Sequence, residues 1–431
     1  MLFCRSVVLF FRRFLPVLLY TGSVLAQITP AQKAANLESF EIVWQTVRDH
    51  HPDPKLNGLD WQAVHDQTKP LIEKARSMNE VRDALRSMLA RLDSSHYSII
   101  PGDAYASIDS GSAAGDGSPG FETAVIDGKA VVTRVDAGSP AARAGIKPGA
   151  VIADIDGAKV DSMLNAFDQT KPESHALAAR SIRRRLLGPE NTAVAVDIVG
   201  PNGTPQHVQL PRATPPGDLV TFANLPPMRV IFESRALDSG PGYIRLNVFL
   251  DPAKVMPEFE AALKRFDGAP GVILDLRGNP GGIGVMAMGI AGFFIDQDGL
   301  KLGEMKMREM NIRFAVFPRP HTFRGKLAIL VDESSASTSE ILAQGLRDLG
   351  RARIFGTRTA GAALPSDIIR LPNGDGFQYA QASYVSEKGR VLEGNGVMPD
   401  EEVRQTEADL KSGRDPVLNA AVRWIVESGH N

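Results

Sequence analysis

The chain has 431 residues, and its 48 lysine and arginine residues against 50 aspartate and glutamate residues give a formal net charge of −2. A balance so close to zero argues against nucleic-acid binding, which needs a basic surface. The single cysteine excludes an intrachain disulfide and a zinc site built from cysteines. The length indicates several domains, because one domain usually takes about 100–200 residues.

The first 26 residues have the pattern of a secretory signal peptide. Arg5, Arg12 and Arg13 precede a short apolar run, and small residues lead up to a cleavage position after Ala26. The alternative is a membrane anchor, but the uninterrupted apolar stretch is shorter than the ~20 residues that a spanning helix needs. We therefore expect an exported protein, periplasmic or secreted, with no membrane span after cleavage.

The remaining sequence divides into three regions that differ in hydrophobic periodicity and in the spacing of turn residues. Residues 30–108 have the apolar periodicity of helices. Residues 116–213 have short apolar runs between glycine turns, which predicts a β module, and a stretch rich in Gly, Ser, Ala and Asp precedes it as a linker. In residues 220–430 strands and helices alternate, which is typical of a mostly parallel sheet covered by helices. Within that last region we expect a strand over Tyr243–Phe249 and a helix over Gly282–Phe294.

Two strand-to-helix turns in the last region contain residues suited to acyl transfer. The segment Ser334–Ser339 places serines at the start of a helix, where free N–H groups can stabilise an oxyanion. The same serines could serve only as helix N-caps, which serine and threonine favour. The segment Asp275–Gly282 is a glycine turn that lets the backbone approach a ligand. It lacks the Lys-Ser/Thr of a nucleotide-binding P-loop.

Together these segments, DLRGNPGG and SSASTSEI, resemble the tail-specific (C-terminal processing) serine protease family. The residues between the linker and the core are similar to its PDZ module, and the segments around Trp44, Trp61 and Ser95-His96 are similar to its helical cap. The resemblance implies a multidomain α/β protein with an N-terminal helical cap, a PDZ-like β module and an α/β protease core of the crotonase/ClpP type. It also implies protein or peptide substrates.

The resemblance also implies the catalytic residues. Ser337, the middle serine of the Ser-Ala-Ser-x-Ser-Glu pattern, is the nucleophile. Much of the family uses a lysine as general base, but Ala362 stands at that position, and alanine cannot accept a proton. The tricorn-core branch is more similar, since it takes a histidine from the cap. By that resemblance His96 is the base, Ser95 orients His96, and Glu393 orients Ser95.

Two further groups of site residues follow from the same resemblance. The N–H of Gly281 or Gly282, together with that of Thr338, would form the oxyanion hole, and the sequence leaves open which glycine donates. Gly120 and Phe121 belong to a Ser-Pro-Gly-Phe segment similar to the carboxylate-binding loop of PDZ domains, which would bind the C-terminus of a substrate. The module could instead pack against the core and bind nothing.

Two other features have simpler interpretations. His50-His51 beside Asp53 could suggest a metal site, but no matching ligand set appears elsewhere, so we predict a loop there and expect neither metal nor cofactor. Arg180 and Arg183–Arg185 form a basic run, which we interpret as a solvated helix face rather than an anion site.

The sequence therefore predicts an exported serine endopeptidase that cleaves unfolded or C-terminal protein segments through an acyl-enzyme. One alternative is a catalytically inactive, PDZ-containing peptide-binding scaffold of the same fold. Another is a related hydrolase that acts on non-peptide acyl groups, because the acyl-transfer machinery would be the same. The sequence does not specify the oligomeric state.

Overall fold

The computed structural model describes residues 28–102, 117–165, 167 and 172–427. The predicted signal peptide and most of the predicted linker lie outside these residues. Within the described ranges, no helix is both long enough and apolar enough to cross a membrane.

The secondary structure of the described residues follows the three regions of the sequence. The helices are α1 (Pro30–His50), α2 (Trp61–Lys74), α3 (Met78–Ala90), α4 (Pro140–Arg143), α5 (Val160–Leu164), α6 (Pro172–Leu186), α7 (Pro252–Arg265), α8 (Gly284–Ala291), α9 (Thr338–Asp348), α10 (Glu407–Lys411) and α11 (Pro416–Glu427). The strands are β1 (Ser98–Ile100), β2 (Phe121–Ile126), β3 (Lys129–Val135), β4 (Val151–Ile155), β5 (Ala158–Lys159), β6 (Ala193–Val199), β7 (Pro205–Pro211), β8 (Asp218–Val220), β9 (Met228–Val230), β10 (Phe232–Ala236), β11 (Gly242–Leu246), β12 (Gly271–Asp275), β13 (Lys301–Lys306), β14 (Asn311–Ala315), β15 (Lys326–Val331), β16 (Ala352–Gly356), β17 (Ser366–Arg370), β18 (Gly376–Ala380), β19 (Ser383–Ser386) and β20 (Glu401–Glu402).

The helical region is joined to the C-terminal region by a shared sheet. The N-cap residues of α1, α2 and α3 are Thr29, Asp60 and Ser77. The side chain of each accepts an N–H of the first helical turn. β1 follows α3 and pairs antiparallel with β18, which forms a hairpin with β17. Phe377 and Tyr379 of β18 belong to the apolar cluster of the three helices. The cap therefore shares its core with the protease region.

The β module presents an edge strand to a helix. Its strands pair antiparallel in the order β2-β3-β4-β6-β7, and the inward-facing side chains include Val132, Ile155 and Val194. β2 lies at the edge of this sheet, and α6 packs against it. An edge strand of this kind is where peptide-recognition domains take up an extended chain.

The core is built on a six-stranded sheet in the order β10-β11-β12-β15-β16-β20, parallel except for β10. Alternate side chains point to opposite faces. Val272 and Leu274 of β12 pack with α7, α8 and α9, whereas Ile273 packs with α11 on the other face. The carboxyl ends of β12 and β15 are adjacent, so the turns that follow them meet at one edge of the sheet.

Two predicted elements have different bounds in the structure. The predicted strand Tyr243–Phe249 ends at Leu246, because the chain then leaves the sheet and Phe249 pairs with the glycine turn through Gly281 O (2.8 Å). The predicted helix Gly282–Phe294 is shortened to α8. Gly282 has a φ of 140°, which no helix contains, and Gly292 ends the helix against Phe317.

Candidate active site

The turn after β15 presents Ser337 at the start of α9. Ser337 is the N-cap residue of this helix and has a φ of 55°, a conformation that residues other than glycine seldom adopt. Its N–H donates to Ala362 O (2.8 Å) and to Glu340 Oε2 (2.9 Å). Such strained residues persist only where the surroundings hold them, and they cluster at functional sites.

The two strand-to-helix turns are bound to each other. The Asp332 carboxylate accepts the N–H of Gly278 (2.9 Å) from the glycine turn and those of Ser334 and Ser335 (3.0 Å each) from its own turn. The Ser335 hydroxyl donates to Leu276 O (2.8 Å). Burial raises the pKa of Asp332 to about 6, against the donors that surround it. The position of Ser337 is therefore fixed relative to the glycine turn.

The glycine turn lies directly against Ser337. A Cβ atom on Gly281 would come within 2.8 Å of Ser337 Cβ and 2.9 Å of Thr338 N, so a larger residue would collide there. The Gly281 N–H donates to Asn279 Oδ1 (2.9 Å). No hydrogen bond among the described residues uses the N–H of Gly282 or of Thr338. Two unused N–H groups thus lie beside the Ser337 turn.

Ser95, His96 and Glu393 form a chain of hydrogen bonds. The Ser95 hydroxyl donates to Glu393 Oε2 (2.8 Å) and lies 2.6 Å from His96 Nδ1. The N–H groups of Ser95 (2.7 Å) and Ala363 (3.1 Å) also donate to this carboxylate. The Ser95 hydroxyl has one proton, and it donates this proton to Glu393. The hydroxyl oxygen must therefore accept a hydrogen bond from the Nδ1–H of neutral His96. The lone pair then lies on Nε2.

His96 lies in an environment that keeps it neutral. Its side chain is half-buried, and its φ of 61° is again in the left-handed region. Burial and the positive charge of Arg180 lower the pKa of His96 to about 4. Among the hydrogen bonds of the described residues, none joins His96 to Ser337. The structure therefore holds Ser95, His96 and Glu393 in one group, and Ser337 with the glycine turn in another.

The predicted peptide-binding loop is tightly packed. The Gly120 N–H donates to Ser118 Oγ (3.0 Å), and Gly120 O accepts the N–H of Asp136 (2.9 Å). The Phe121 side chain, 7% exposed, belongs to the core of the module. Pro119 has no N–H. The loop therefore offers few amide donors to a carboxylate.

His51 has a structural role beside the site. Its ring stacks on Tyr97 at 5.7 Å, and its Nδ1 lies 3.1 Å from Asp53 N. Both His51 and Asp53 line a cleft of about 270 Å³ that extends to Ser94 and Glu393. In the part of the chain that the structure describes, no group of three or more His, Cys, Asp or Glu side chains could hold a metal ion.

Family models match all three regions of the chain. Peptidase family S41 matches residues 240–403, the Tricorn protease C1 domain matches residues 32–90, and the PDZ domain matches residues 131–174. The carboxyl-terminal-processing protease of Synechocystis sp. is 28% identical over 97% of this chain and 92% of its own length. The C-terminal region of the chain therefore matches peptidase family S41, and the chain as a whole is similar to carboxyl-terminal-processing proteases.

Other relatives agree with this assignment. The chloroplastic carboxyl-terminal-processing peptidase 3 of Arabidopsis thaliana is 27% identical over 89% of this chain and 72% of its own length. A tricorn protease homolog of Streptomyces coelicolor is 26% identical over 94% of this chain and 33% of its own length. The S41 match and these relatives indicate that the protein is a serine peptidase.

Solved structures share the fold. The photosystem II D1 C-terminal processing protease superposes with a TM-score of 0.58 at 24% identity, covering 92% of this chain and 97% of that one. Mature CPAF superposes with a TM-score of 0.66 at 14% identity, covering 93% of this chain and 99% of that one. The predicted architecture of helical cap, PDZ domain and α/β protease core is confirmed.

Glu340 is a buried residue beside Ser337 whose role the sequence motifs do not predict. It is fully buried, and its carboxylate accepts the Thr359 hydroxyl and the N–H groups of Gly361 (2.8 Å), Ala362 (3.0 Å) and Ser337 (2.9 Å). Burial raises its pKa to about 7. A glutamate at the third position of a helix resembles an ordinary capping-box residue in the sequence. Only the structure shows that Glu340 is buried and that it also holds the loop from Thr359 to Ala362.

Glu340 connects the two groups of site residues. It holds the Ser337 backbone directly, and it holds the loop from Thr359 to Ala362. The next residue in that loop, Ala363, donates its N–H to Glu393. One buried carboxylate therefore contacts both the Ser337 turn and the loop whose next residue donates to Glu393.

We expect Glu340→Gln to slow the reaction of Ser337 with a fluorophosphonate probe. All four partners of Glu340 donate, so an amide NH₂ would face donors and displace the loop. Displacements of about 1 Å at such sites can cost about 10²-fold in rate. Unsatisfied buried donors cost ~1–3 kcal/mol of unfolding free energy. Labelling is measured by mass spectrometry, and stability by urea unfolding.

Asp348→Asn is the matched control for this variant. Asp348 is a buried carboxylate at the other end of α9, where it accepts the Ser386 hydroxyl and the Lys388 N–H. This variant should lose stability while the folded protein is labelled at the unmutated rate. An unchanged labelling rate in Glu340→Gln would contradict the role given to Glu340.

Proposed function

We propose that this protein is an exported serine endopeptidase that cleaves unfolded or C-terminal protein segments. Ser337 is the nucleophile, His96 the general base, and Ser95 and Glu393 orient the base. The observation that carries the proposal is the hydrogen-bond chain from Glu393 through Ser95 to His96 Nδ1. A carboxylate and a hydroxyl in this order fix the tautomer of an imidazole, as a base requires.

In the proposed reaction, Ser337 Oγ attacks the carbonyl carbon of the scissile peptide bond and its proton passes to His96 Nε2. The positive charge on the imidazole is stabilised by Glu393 through Ser95. Nε2 then protonates the departing amine as the C–N bond breaks, which leaves an acyl-enzyme. A water molecule, deprotonated by His96, hydrolyses the ester and releases the acid.

The oxyanion would be held by the N–H groups of Gly282 and Thr338. Of the two candidate glycines, Gly281 already donates its N–H to Asn279, whereas the N–H of Gly282 has no partner among the described residues. The Thr338 hydroxyl donates to Gly282 O (2.9 Å), which ties the two donors together. Donors held in advance stabilise the developing charge without reorganisation during the reaction.

The absence of the lysine supports the histidine route. The Ala362 side chain cannot accept a proton, and none of the hydrogen bonds of the described residues links His96 to Ser337. Catalytic hydrogen bonds are often long in unliganded enzymes and shorten in the substrate complex. We propose that a peptide bound between cap and core brings His96 Nε2 within ~3 Å of Ser337 Oγ.

In the proposed function, the PDZ domain would bind the substrate and the first 26 residues would direct export. The free edge of β2 would take up an extended peptide and deliver it to the core. The signal-like sequence of residues 1–26 would direct export. A catalytically inactive scaffold would need none of the hydrogen bonds that orient His96, which is why the enzyme is favoured.

The catalytic assignment predicts the activities of single variants on an unfolded protein such as reduced β-casein. Ser337→Ala and His96→Ala should each lower kcat by at least ~10⁴-fold, because these residues act as a unit. Glu393→Gln should cause an intermediate loss. Ser334→Ala, in the same turn, should retain activity, because among the described residues only the N–H of Ser334 makes a hydrogen bond. Full turnover by Ser337→Ala would refute the assignment.

The environment of His96 predicts an unusual dependence on pH. His96 must be neutral to accept a proton, and its pKa is about 4 in the unliganded protein. We therefore expect kcat/KM of the Glu340→Gln variant, which lacks the titration of Glu340, to be level between about pH 5 and 6, where an ordinary histidine is largely protonated, and to fall as the pH passes down through about 4. Circular dichroism at each pH checks the fold.

A loss of activity near pH 7 would instead report the titration of Glu340, whose pKa is about 7. In that case the Glu340→Gln variant should lack this step. A step at an unshifted pKa near 6.5 that persists in Glu340→Gln would contradict the environment described for His96.

A further inference from the structure

Arg277, near the start of the glycine turn, is bound by two carboxylates. Its Nε donates to Asp275 Oδ1 (3.0 Å) and its Nη2 to Asp275 Oδ2 (2.6 Å). Its Nη1 and Nη2 also donate to Asp415 Oδ1 (3.0 Å) and Oδ2 (2.8 Å). Each carboxylate therefore binds one edge of the planar guanidinium, an arrangement that fixes direction as well as distance.

The two carboxylates come from different parts of the fold. Asp275 is buried at the end of β12, two residues before Arg277. Asp415 directly precedes α11, and its Oδ1 also accepts the N–H of Leu418 (2.9 Å) in the first turn of that helix. α11 packs on one face of the core sheet, whereas α9, which begins after Ser337, packs on the other. Asp415 thus connects the glycine turn to a helix on the far face of the sheet.

Asp415 is not needed to balance the charge of Arg277. Burial would raise the pKa of Asp275, but the positive charge and hydrogen bonds of Arg277 outweigh burial and lower it. Asp275 is therefore ionised and already neutralises Arg277. A guanidinium bound along one edge can still pivot about that edge, and a second carboxylate on another edge prevents the pivot. The contribution of Asp415 is therefore geometric.

The orientation of Arg277 affects the turn that follows it. The next residue, Gly278, has a φ of 73° and donates its N–H to Asp332 (2.9 Å), the carboxylate that binds the two strand-to-helix turns together. Gly281 follows three residues later and lies directly against Ser337. A pivot of Arg277 would therefore shift the glycine turn relative to the nucleophile.

We propose that Asp415 is a positioning residue for the oxyanion hole. By holding the second edge of Arg277, it fixes the glycine turn, and with it the N–H of Gly282, against the Ser337 turn. The inference rests on the proposed function, in which Gly282 and Thr338 bind the oxyanion. Removing an oxyanion donor outright costs about 10²–10³-fold in kcat. Loosening one donor should cost less, about tenfold.

Asp415→Asn removes one contact and keeps the others. The amide oxygen can still accept from Leu418 N and Arg277 Nη1, as Oδ1 does, whereas the NH₂ group replaces Oδ2 and faces the donor Nη2. We expect kcat on reduced β-casein and the rate of labelling by a fluorophosphonate probe to fall about tenfold, because both reactions place charge in the oxyanion hole. KM should stay within about twofold, because Asp415 acts in the transition state.

Asp409→Asn is the matched control. Asp409 also binds an arginine, Arg414, through Nη2 (3.0 Å), and it also accepts an N–H at the start of a helix, that of Thr406 (3.2 Å). Among the described residues, its side chain makes no hydrogen bond to either strand-to-helix turn. This variant should keep the unmutated kcat and labelling rate. Urea unfolding measures the stability that each variant loses.

A double variant tests whether Asp415 acts through Arg277. In Arg277→Lys the ammonium has no planar fork, so the route from Asp415 to the turn is already lost. Adding Asp415→Asn to Arg277→Lys should then lower the labelling rate by less than about twofold, because mutations on one path are not additive.

Hydrogen exchange measures the turn itself. Deuterium uptake over residues 276–283, followed by mass spectrometry, should be about tenfold faster in Asp415→Asn and unchanged in Asp409→Asn. This measurement needs no catalysis, so it still judges the positioning if full turnover by Ser337→Ala refutes the proposed function. Unchanged uptake in Asp415→Asn, unchanged kcat, equal losses in both single variants, or a full tenfold loss in the Arg277→Lys background would each overturn the proposal.

Discussion

The antiparallel pairing of β1 with β18 holds the helical cap against the core, and the site is built across that junction. The register places Ile99 opposite Phe377. A slip of one residue would move each side chain of β1 to the other face of the sheet and displace it by ~3.3 Å. Ser95 and His96 lie just before β1, so the register determines whether Ser95 reaches Glu393 at all.

A buried ion pair fixes this register from both sides. Asp375 is fully buried just before β18. Its carboxylate accepts hydrogen bonds from two nitrogens of Arg82 in α3 and from the N–H of Gly102 (2.7 Å), which follows β1. Removing one partner of such a pair leaves an uncompensated buried charge, which is strongly destabilising. A slipped register would have this consequence, so the pair selects one alignment of cap and core.

Much of this arrangement was accessible from the sequence, because the chemistry resides in short motifs. The resemblance in the sequence implies a group of Ser95, His96 and Glu393, and in the structure Ser95, 298 positions before Glu393, donates its hydroxyl to that carboxylate. The roles of Glu340 and of β1 were not predicted. A three-residue strand has too few side chains to show a periodicity, and Glu340 resembles a capping residue until its burial is known.

The sequence also does not decide whether Gly281 or Gly282 would donate its N–H to the oxyanion hole. Both glycines fit a turn that approaches a ligand, and sequence alone gives them equal claims. What distinguishes them is a side chain near the turn, since Asn279 accepts the N–H of Gly281, whereas the N–H of Gly282 has no partner among the described residues. Hydrogen-bond partners of individual amides depend on backbone direction, which a composition pattern does not specify.

Ala362 lacks the lysine side chain used by much of the family, but its backbone still makes the contacts that hold the Ser337 turn. The carbonyl of Ala362 accepts the Ser337 N–H, and its own N–H donates to Glu340. Both contacts come from the backbone, which every residue type except proline supplies in full. A lysine at this position could therefore be replaced by alanine without disturbing the Ser337 turn. Only the proton acceptor would be lost, and in the proposed function the hydrogen-bonded imidazole of His96 supplies an acceptor from the cap instead.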